Sequence, residues 1–271
     1  MKNTSGIAVS RIGASHIKAG KECQDRSKYI SGKKFSAVVV CDGHGGDKHF
    51  RSAAGAEFAI SCFEKAISEF ADKYHSLLKR NKSKTILSNF EKHLIFSWRE
   101  AVENHCNKNP FTEEELKIFP EYIRDELKEN PHIAYGSTFL ACFIIKEELF
   151  VIQLGDGEIR LIIENGQVVS PILKDENLKF GMTTSLCNAD AIRYVKSAQT
   201  KIGDITGCVI CSDGVRNSFD TDEHYDDFCR KASSGFTETE NEIFESDIKD
   251  FLSDLTENGS SDDVSIGLIK I

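Results

Sequence analysis

A chain of 271 residues is long enough to bury one large core or two small ones. Its composition, 40% hydrophobic and 28% charged, is that of an ordinary globular protein, and its net charge of −9 argues against a broad basic face for nucleic acid while leaving local basic patches open. The longest apolar runs, such as 138–145, are too short to span a bilayer. With four prolines and no Pro/Gly/Ser-rich linker, residues 1–271 read as a single domain. Residues 1–6 lack the apolar run of a signal peptide, so a soluble cytoplasmic monomer with neither membrane nor nucleic-acid partners is expected.

In chain order, Ile7-Ala8-Val9 is short and β-prone, and residues 35–41 form a continuous apolar run of buried-strand length. The period then changes. Ala59, Phe63, Ala66, Ile67 and Phe70 fall on one helical face, and residues 83–107 read as a second helix with Ile86, Phe90 and Leu94 at four-residue steps. Between Pro110 and Pro131 lies Thr112-Glu113-Glu114-Glu115, with the spacing of a capping box. That segment is either a short third helix or an insertion, and it offers either a partner surface or a plain solvated helix. Strands are expected at 137–145, 149–154 and 158–163, with Asn165-Gly166 a hairpin signal, which together predict an antiparallel meander. Residues 170–201 have weak periodicity and are not placed. A buried strand at 207–211, a helix carrying Phe244, Ile248, Phe251, Leu252 and Leu255, and a strand at 264–271 follow. Segregated helices and strands indicate α+β, with two sheets face to face and helices outside.

The nine cysteines are an odd number without a framework spacing, and several sit inside apolar runs, as expected of free buried thiols in a reducing compartment. Cys208 and Cys211 form a C-x-x-C, but on a strand such positions point to opposite faces, and no second pair completes a zinc site.

Four short acidic segments carry the chemistry: Gln24-Asp25, Asp42-Gly43-His44-Gly45-Gly46, Ser212-Asp213-Gly214 and Asp262-Asp263-Val264-Ser265. The second and third follow apolar, β-branched runs and the fourth precedes one. A carboxylate at a strand end is held rigidly, and several that converge repel one another unless a cation sits between them; with oxygen donors only, the cation is a hard one, Mg²⁺ or Mn²⁺. The glycines after Asp42 allow close approach of backbone to a ligand, and an exposed His44 in the same cleft could protonate a leaving oxygen. Taken singly, each segment is also explained as a turn, a helix cap or a solvated strand end.

These segments, with Cys23-Gln24-Asp25, Gly136-Ser137-Thr138 and Leu154-Gly155-Asp156-Gly157, resemble in order the motifs of the metal-dependent serine/threonine protein phosphatases of type 2C, the PPM family. The resemblance runs from residue 23 to 265, and DGHGG is its most specific piece. It implies a four-layer α-β-β-α sandwich. It also implies that Asp42 bridges two Mn²⁺ or Mg²⁺ ions, that Gly43 offers its carbonyl, and that Asp213 and Asp262 ligate the first ion. By the same resemblance Asp25 holds metal-bound water, His44 is the general acid, and Asp156 helps bind a third, weaker ion found in some members. The implied reaction is direct hydrolysis of phosphoserine and phosphothreonine in proteins, substrates of a cognate kinase, by a metal-bridging hydroxide and with no phosphoenzyme.

The chain departs from the family at several points. Gln24 stands where many relatives have Glu, Asp263 where Asn is usual, and Asn217 where some have a third-metal aspartate. Gly20 occupies the place of a phosphate-gripping arginine in some relatives, with Lys18 and Lys21 nearby as point charges. His16 resembles a histidine of a bacterial branch, and a structural hydrogen bond is the role expected of it. The departures keep two rivals open: a non-catalytic pseudophosphatase or interaction module, and a binuclear hydrolase of a small phosphoester. The segment 170–201 lies where relatives place a mobile flap and is expected to govern substrate choice.

Overall fold

The computed structural model describes residues 4–79, 83–173 and 183–271. Its strands are β1 (Ser5–Arg11), β2 (Arg26–Ser31), β3 (Phe35–Cys41), β4 (Phe139–Ile145), β5 (Glu148–Leu154), β6 (Glu158–Ile163), β7 (Val168–Val169), β8 (Lys196–Lys201), β9 (Ile205–Cys211) and β10 (Val264–Lys270). Its helices are α1 (Ala14–Ala19), α2 (Ser52–Leu78), α3 (Ser83–Lys108), α4 (Glu113–Leu116), α5 (Glu121–Glu129), α6 (Asp213–Arg216), α7 (Asp222–Glu238) and α8 (Asn241–Asn258). The strands form two five-stranded antiparallel sheets, ordered β1-β10-β9-β6-β7 and β2-β3-β4-β5-β8.

Three apolar layers hold these sheets in a four-layer α-β-β-α sandwich. On β3, Ala37, Val39 and Cys41 face α2 and α3, while Val38 and Val40 face the other sheet. Strand β4 divides the same way, with Phe139, Phe143 and Ile145 toward the helices and Leu140, Cys142 and Ile144 toward the second sheet. A strand buried on both faces needs apolar side chains at every position, and that is why these segments read as continuous runs without alternation. Strand β9 confirms the cysteine reading: Cys208 points between the sheets and Cys211 toward α7 and α8, and all nine thiols are free.

Several expectations hold in detail. The 83–107 helix is α3, and Thr112 and Glu115 form the capping box at α4. The Asn165-Gly166 signal is the β6–β7 turn, with Gly166 at φ 82. The meander does not continue as expected. Strands β4 and β5 pair, but β6 joins the other sheet beside β9, and β8 takes its place next to β5. The switch occurs at Gly155-Asp156-Gly157, where Gly155 has φ 115 and packs so tightly on Thr138 that a Cβ would collide with it. Helix α7 was not foreseen, although Tyr225, Phe228, Cys229, Ala232 and Phe236 form a buried helical stripe. Residues 170–201 contain β8 and a 3-10 turn at Ala191–Arg193, while 174–182 lie outside the described residues. Among the described residues no helix is long and apolar enough to cross a membrane.

Candidate active site

Antiparallel pairing sends the acidic segments to one end of the sandwich. Arg26 pairs with Cys41, so Asp25 at the start of β2 lies beside Asp42 at the end of β3. Cys211 pairs with Ile266, so Asp213 after β9 lies near Asp262 before β10. The sheet-switching turn adds Asp156. Asp42, His44, Asp156, Asp213 and Asp262 all line one cavity of about 450 Å³. Asp25 and Gly43 are buried behind that wall, with Asp25 only 1% exposed.

Local hydrogen bonds hold these segments in place. The Asp42 N–H donates to Thr138 Oγ1 at 3.0 Å, and the Thr138 N–H returns a bond to the Asp42 carbonyl at 2.8 Å. The Ser212 N–H donates to the Ser265 carbonyl at 3.0 Å, and the Ser265 N–H donates to Ser212 Oγ at 2.9 Å. Gly214 lies so close to the Asp263 carbonyl that no Cβ fits, which explains Ser-Asp-Gly there. Asn217 donates from Nδ2 to Asp213 Oδ2 at 3.1 Å. Its amide therefore orients a site carboxylate, and it brings no negative charge to a third ion.

The unusual Asp263 is a joint for the site. Its carboxylate is 3% exposed and accepts the Gly13 N–H on Oδ1 and the Gln24 N–H on Oδ2, both at 2.6 Å. His16 Nδ1 lies 3.0 Å from the same Oδ1, a close contact that lacks the geometry of the hydrogen bond expected of that histidine. Through Gln24, Asp263 fixes the loop that carries Asp25. The Gln24 amide itself donates to Ser52 Oγ at 2.8 Å.

The electrostatics are those of crowded carboxyls. Burial, then the negative charges of Asp25 and Asp213, push the Asp42 carboxyl well above the ordinary carboxylate range. Burial, then Asp263, push Asp25 up to about 8. Asp213 is raised mainly by burial, although a hydrogen bond with Asp42 eases it. Both Asp25 oxygens are buried and make no hydrogen bond of good geometry, although the Ser212 and Ser265 hydroxyls ease the carboxyl's upward shift. Among the described residues no three His, Cys, Asp or Glu side chains are drawn together into a ready-made metal cage. The donor set nonetheless suits hard dications: every candidate ligand atom is an oxygen, and among the described residues no Lys or Arg lines the cavity to offset the carboxylates.

Residues that the sequence did not single out complete the wall. His49 packs edge-on against His44, with centroids 4.9 Å apart, and its Nδ1 lies 2.6 Å from the Ile133 carbonyl. Thr183, Ser185, Cys187 and Asn188 line the far side, where the Leu186 N–H donates to the Ser137 carbonyl at 2.9 Å. Burial raises the Cys187 thiol, which keeps it protonated and a poor nucleophile. No Lys or Arg lines the cavity among the described residues. Lys18 is exposed, and Lys21 reaches only toward the Gly45 carbonyl, at 3.5 Å, in a neighbouring groove. His49 carried no local signal, because its place depends on residues 133–136 folding back onto it.

Several solved structures with this architecture are bacterial phosphatases. PppA, described as a key regulatory component of a type VI secretion system in Pseudomonas aeruginosa, superposes with a TM-score of 0.60 at 14% identity, over 98% of this chain and 97% of its own. The serine/threonine phosphatase Stp1 from Staphylococcus aureus gives 0.60 at 14% identity, over 98% and 94%. The catalytic domain of the serine/threonine phosphatase PstP, solved with two manganese ions, gives 0.58 at 15% identity, over 98% and 97%. At such identities the likeness is one of fold. No curated protein sequence matches the chain. A family profile described as Protein phosphatase 2C matches residues 12–253. With that match across nearly its whole length, the chain belongs to the protein phosphatase 2C family of serine/threonine phosphatases.

Proposed function

We propose that the protein hydrolyses phosphoserine and phosphothreonine in phosphoproteins with two Mn²⁺ or Mg²⁺ ions held by Asp42, Gly43, Asp213 and Asp262. The observation that carries this reading is the convergence on one cavity of carboxylates drawn from positions 42, 156, 213 and 262, with Asp25 buried behind them. When bound, the ions activate water and offset charge on the phosphoryl oxygens. In this reading Asp25, buried behind the wall, orients water. Asn217 and Thr138 fix Asp213 and Asp42. Burial, then the adjacent His49, push His44 down to about 4, so its imidazole is neutral at rest. A phosphate dianion in the cavity raises it toward neutrality, and the proton it gains is then available to the leaving oxygen. The raised Cys187 thiol fits hydrolysis without a phosphoenzyme.

Phosphate release from a phosphothreonine peptide should require Mn²⁺, stop with EDTA, and fall more than ~100-fold in Asp213→Ala, beyond the usual cost of losing an outer-shell partner. Release that persists in Asp213→Ala would remove that residue from its role. Gln24, where many relatives have Glu, favours one rival, a non-catalytic binding module on the same fold. Calorimetry separates the two, because a dead scaffold takes up no pair of Mn²⁺ ions.

A further inference from the structure

A groove of about 290 Å³ leaves the catalytic cavity between Lys21 on one side and Phe50 and Ile118 on the other. Gly45 and Gly46 line both spaces, so the lip between them carries no side chains. The apolar wall comes from the 110–131 segment. Leu116 and Phe119 of that segment are buried, at 4% and 9% exposure, whereas Ile118 is left 62% exposed at the groove. Phe50 underlies it, with ring centroids 5.2 Å from Phe111 and 6.1 Å from Phe119.

The segment is clamped in position. Arg51 grips both Glu115 oxygens, at 2.7 and 2.9 Å, and also holds the Asn109 carbonyl. Lys48 pairs with Glu126 at 2.8 Å. Residues that flank the cavity therefore fix where Ile118 stands, and an apolar surface preorganised beside a reacting centre binds without the cost of ordering it.

We infer that this groove is a substrate subsite that receives an apolar side chain close in sequence to the phosphorylated serine or threonine. The inference rests on the phosphatase reading above. A phosphopeptide whose phosphoryl group lies in the cavity has to lead its chain out, and the glycine lip is a path open to it. The charges on the rim, Lys21 against Glu22 and Asp47, are of both signs, so the selection falls to the Phe50–Ile118 wall.

The test is steady-state kinetics with Mn²⁺ on phosphothreonine peptides in which a single leucine is moved along the flanking positions, set against an all-serine flank and against para-nitrophenyl phosphate, which reaches only the cavity. The wild-type protein should prefer one leucine position by ~10-fold in kcat/KM, mostly through KM, which is the scale of selection by an apolar pocket. Ile118→Asp should abolish that preference and Ile118→Leu should keep it. Equal turnover of all peptides by the wild-type protein, or an undiminished preference in Ile118→Asp, would overturn the subsite. Failure to hydrolyse even para-nitrophenyl phosphate would instead overturn the phosphatase reading, and the subsite with it.

Discussion

The aromatic layer beneath α2 and α3 and the carboxylate wall at the end of the same sheets treat burial in opposite ways. In the layer, Phe143 stacks on Phe150 with centroids 4.8 Å apart, and Phe63, Phe70 and Phe90 close around Phe143 within 6.1 Å. No polar atom of these rings needs a partner, so every contact lowers the free energy of the fold. At the wall, four aspartates line a cavity and Asp25 is buried among like charges. The fold accepts that cost because the surrounding layers are strong enough to hold the acids together. Stability is concentrated in one region and chemistry in the other.

The largest effect expected from breaking the contrast is on the stable side. Phe143→Ala should lose about 3–5 kcal/mol in chemical denaturation, by equal amounts with EDTA and with Mn²⁺. Asp213→Ala should do the reverse, removing activity while leaving the metal-free protein as stable as the wild type or more so, because one crowded carboxyl is gone. A metal-free Asp213→Ala that melts well below the wild type would show that the carboxylates support the fold.

The pH dependence sharpens the same contrast. Asp25 sits at about 8 in the folded protein, against ~3.9 for a free aspartate. Between those values the folded state holds a proton that the unfolded chain has released, so stability falls as pH rises. The contribution is complete below the free value and is lost as pH passes about 8; raised Asp42 and Asp213 add to it with the same sign. Thermal melts in EDTA should therefore fall from about pH 6, roughly two units below the shifted group, to about pH 8.5, roughly half a unit above it, and Mn²⁺, by taking the place of the protons, should flatten or reverse the slope. A melting temperature insensitive to pH in EDTA would contradict the crowding.

The smallest effect concerns Asp263, the joint within the carboxylate wall. Asp263→Asn leaves one backbone N–H, of Gly13 or Gln24, without an acceptor, at about 1–3 kcal/mol. By loosening the Asp25 loop it should also weaken Mn²⁺ binding ~10-fold, as read by calorimetry. Unchanged metal affinity would mean that Asp25 is held by its own strand.

Local physics made the elements and the acidic positions readable. A strand buried on both faces announces itself as an unbroken apolar run, as 35–41 does, and a helix by the spacing of Phe63, Ile67 and Phe70. Helix α7 carries an equally periodic stripe of Tyr225, Phe228, Cys229, Ala232 and Phe236, whereas β8, an edge strand of Lys-Ser-Ala-Gln-Thr-Lys, has no apolar signal. Asp42, Asp213 and Asp262 were recognisable from their strand-end settings and motif order. What the chain order did not contain is which sheet each strand joins: Gly155 splits β5 from β6, the β2–β3 hairpin sets Asp25 beside Asp42, and the longer-range β9–β10 pairing sets Asp213 near Asp262. His49 against His44, Asp263 under the Asp25 loop, and Ile118 at the groove belong to that second kind. Each depends on contacts between segments whose separation in sequence carries no local signature, so tertiary packing alone decided them.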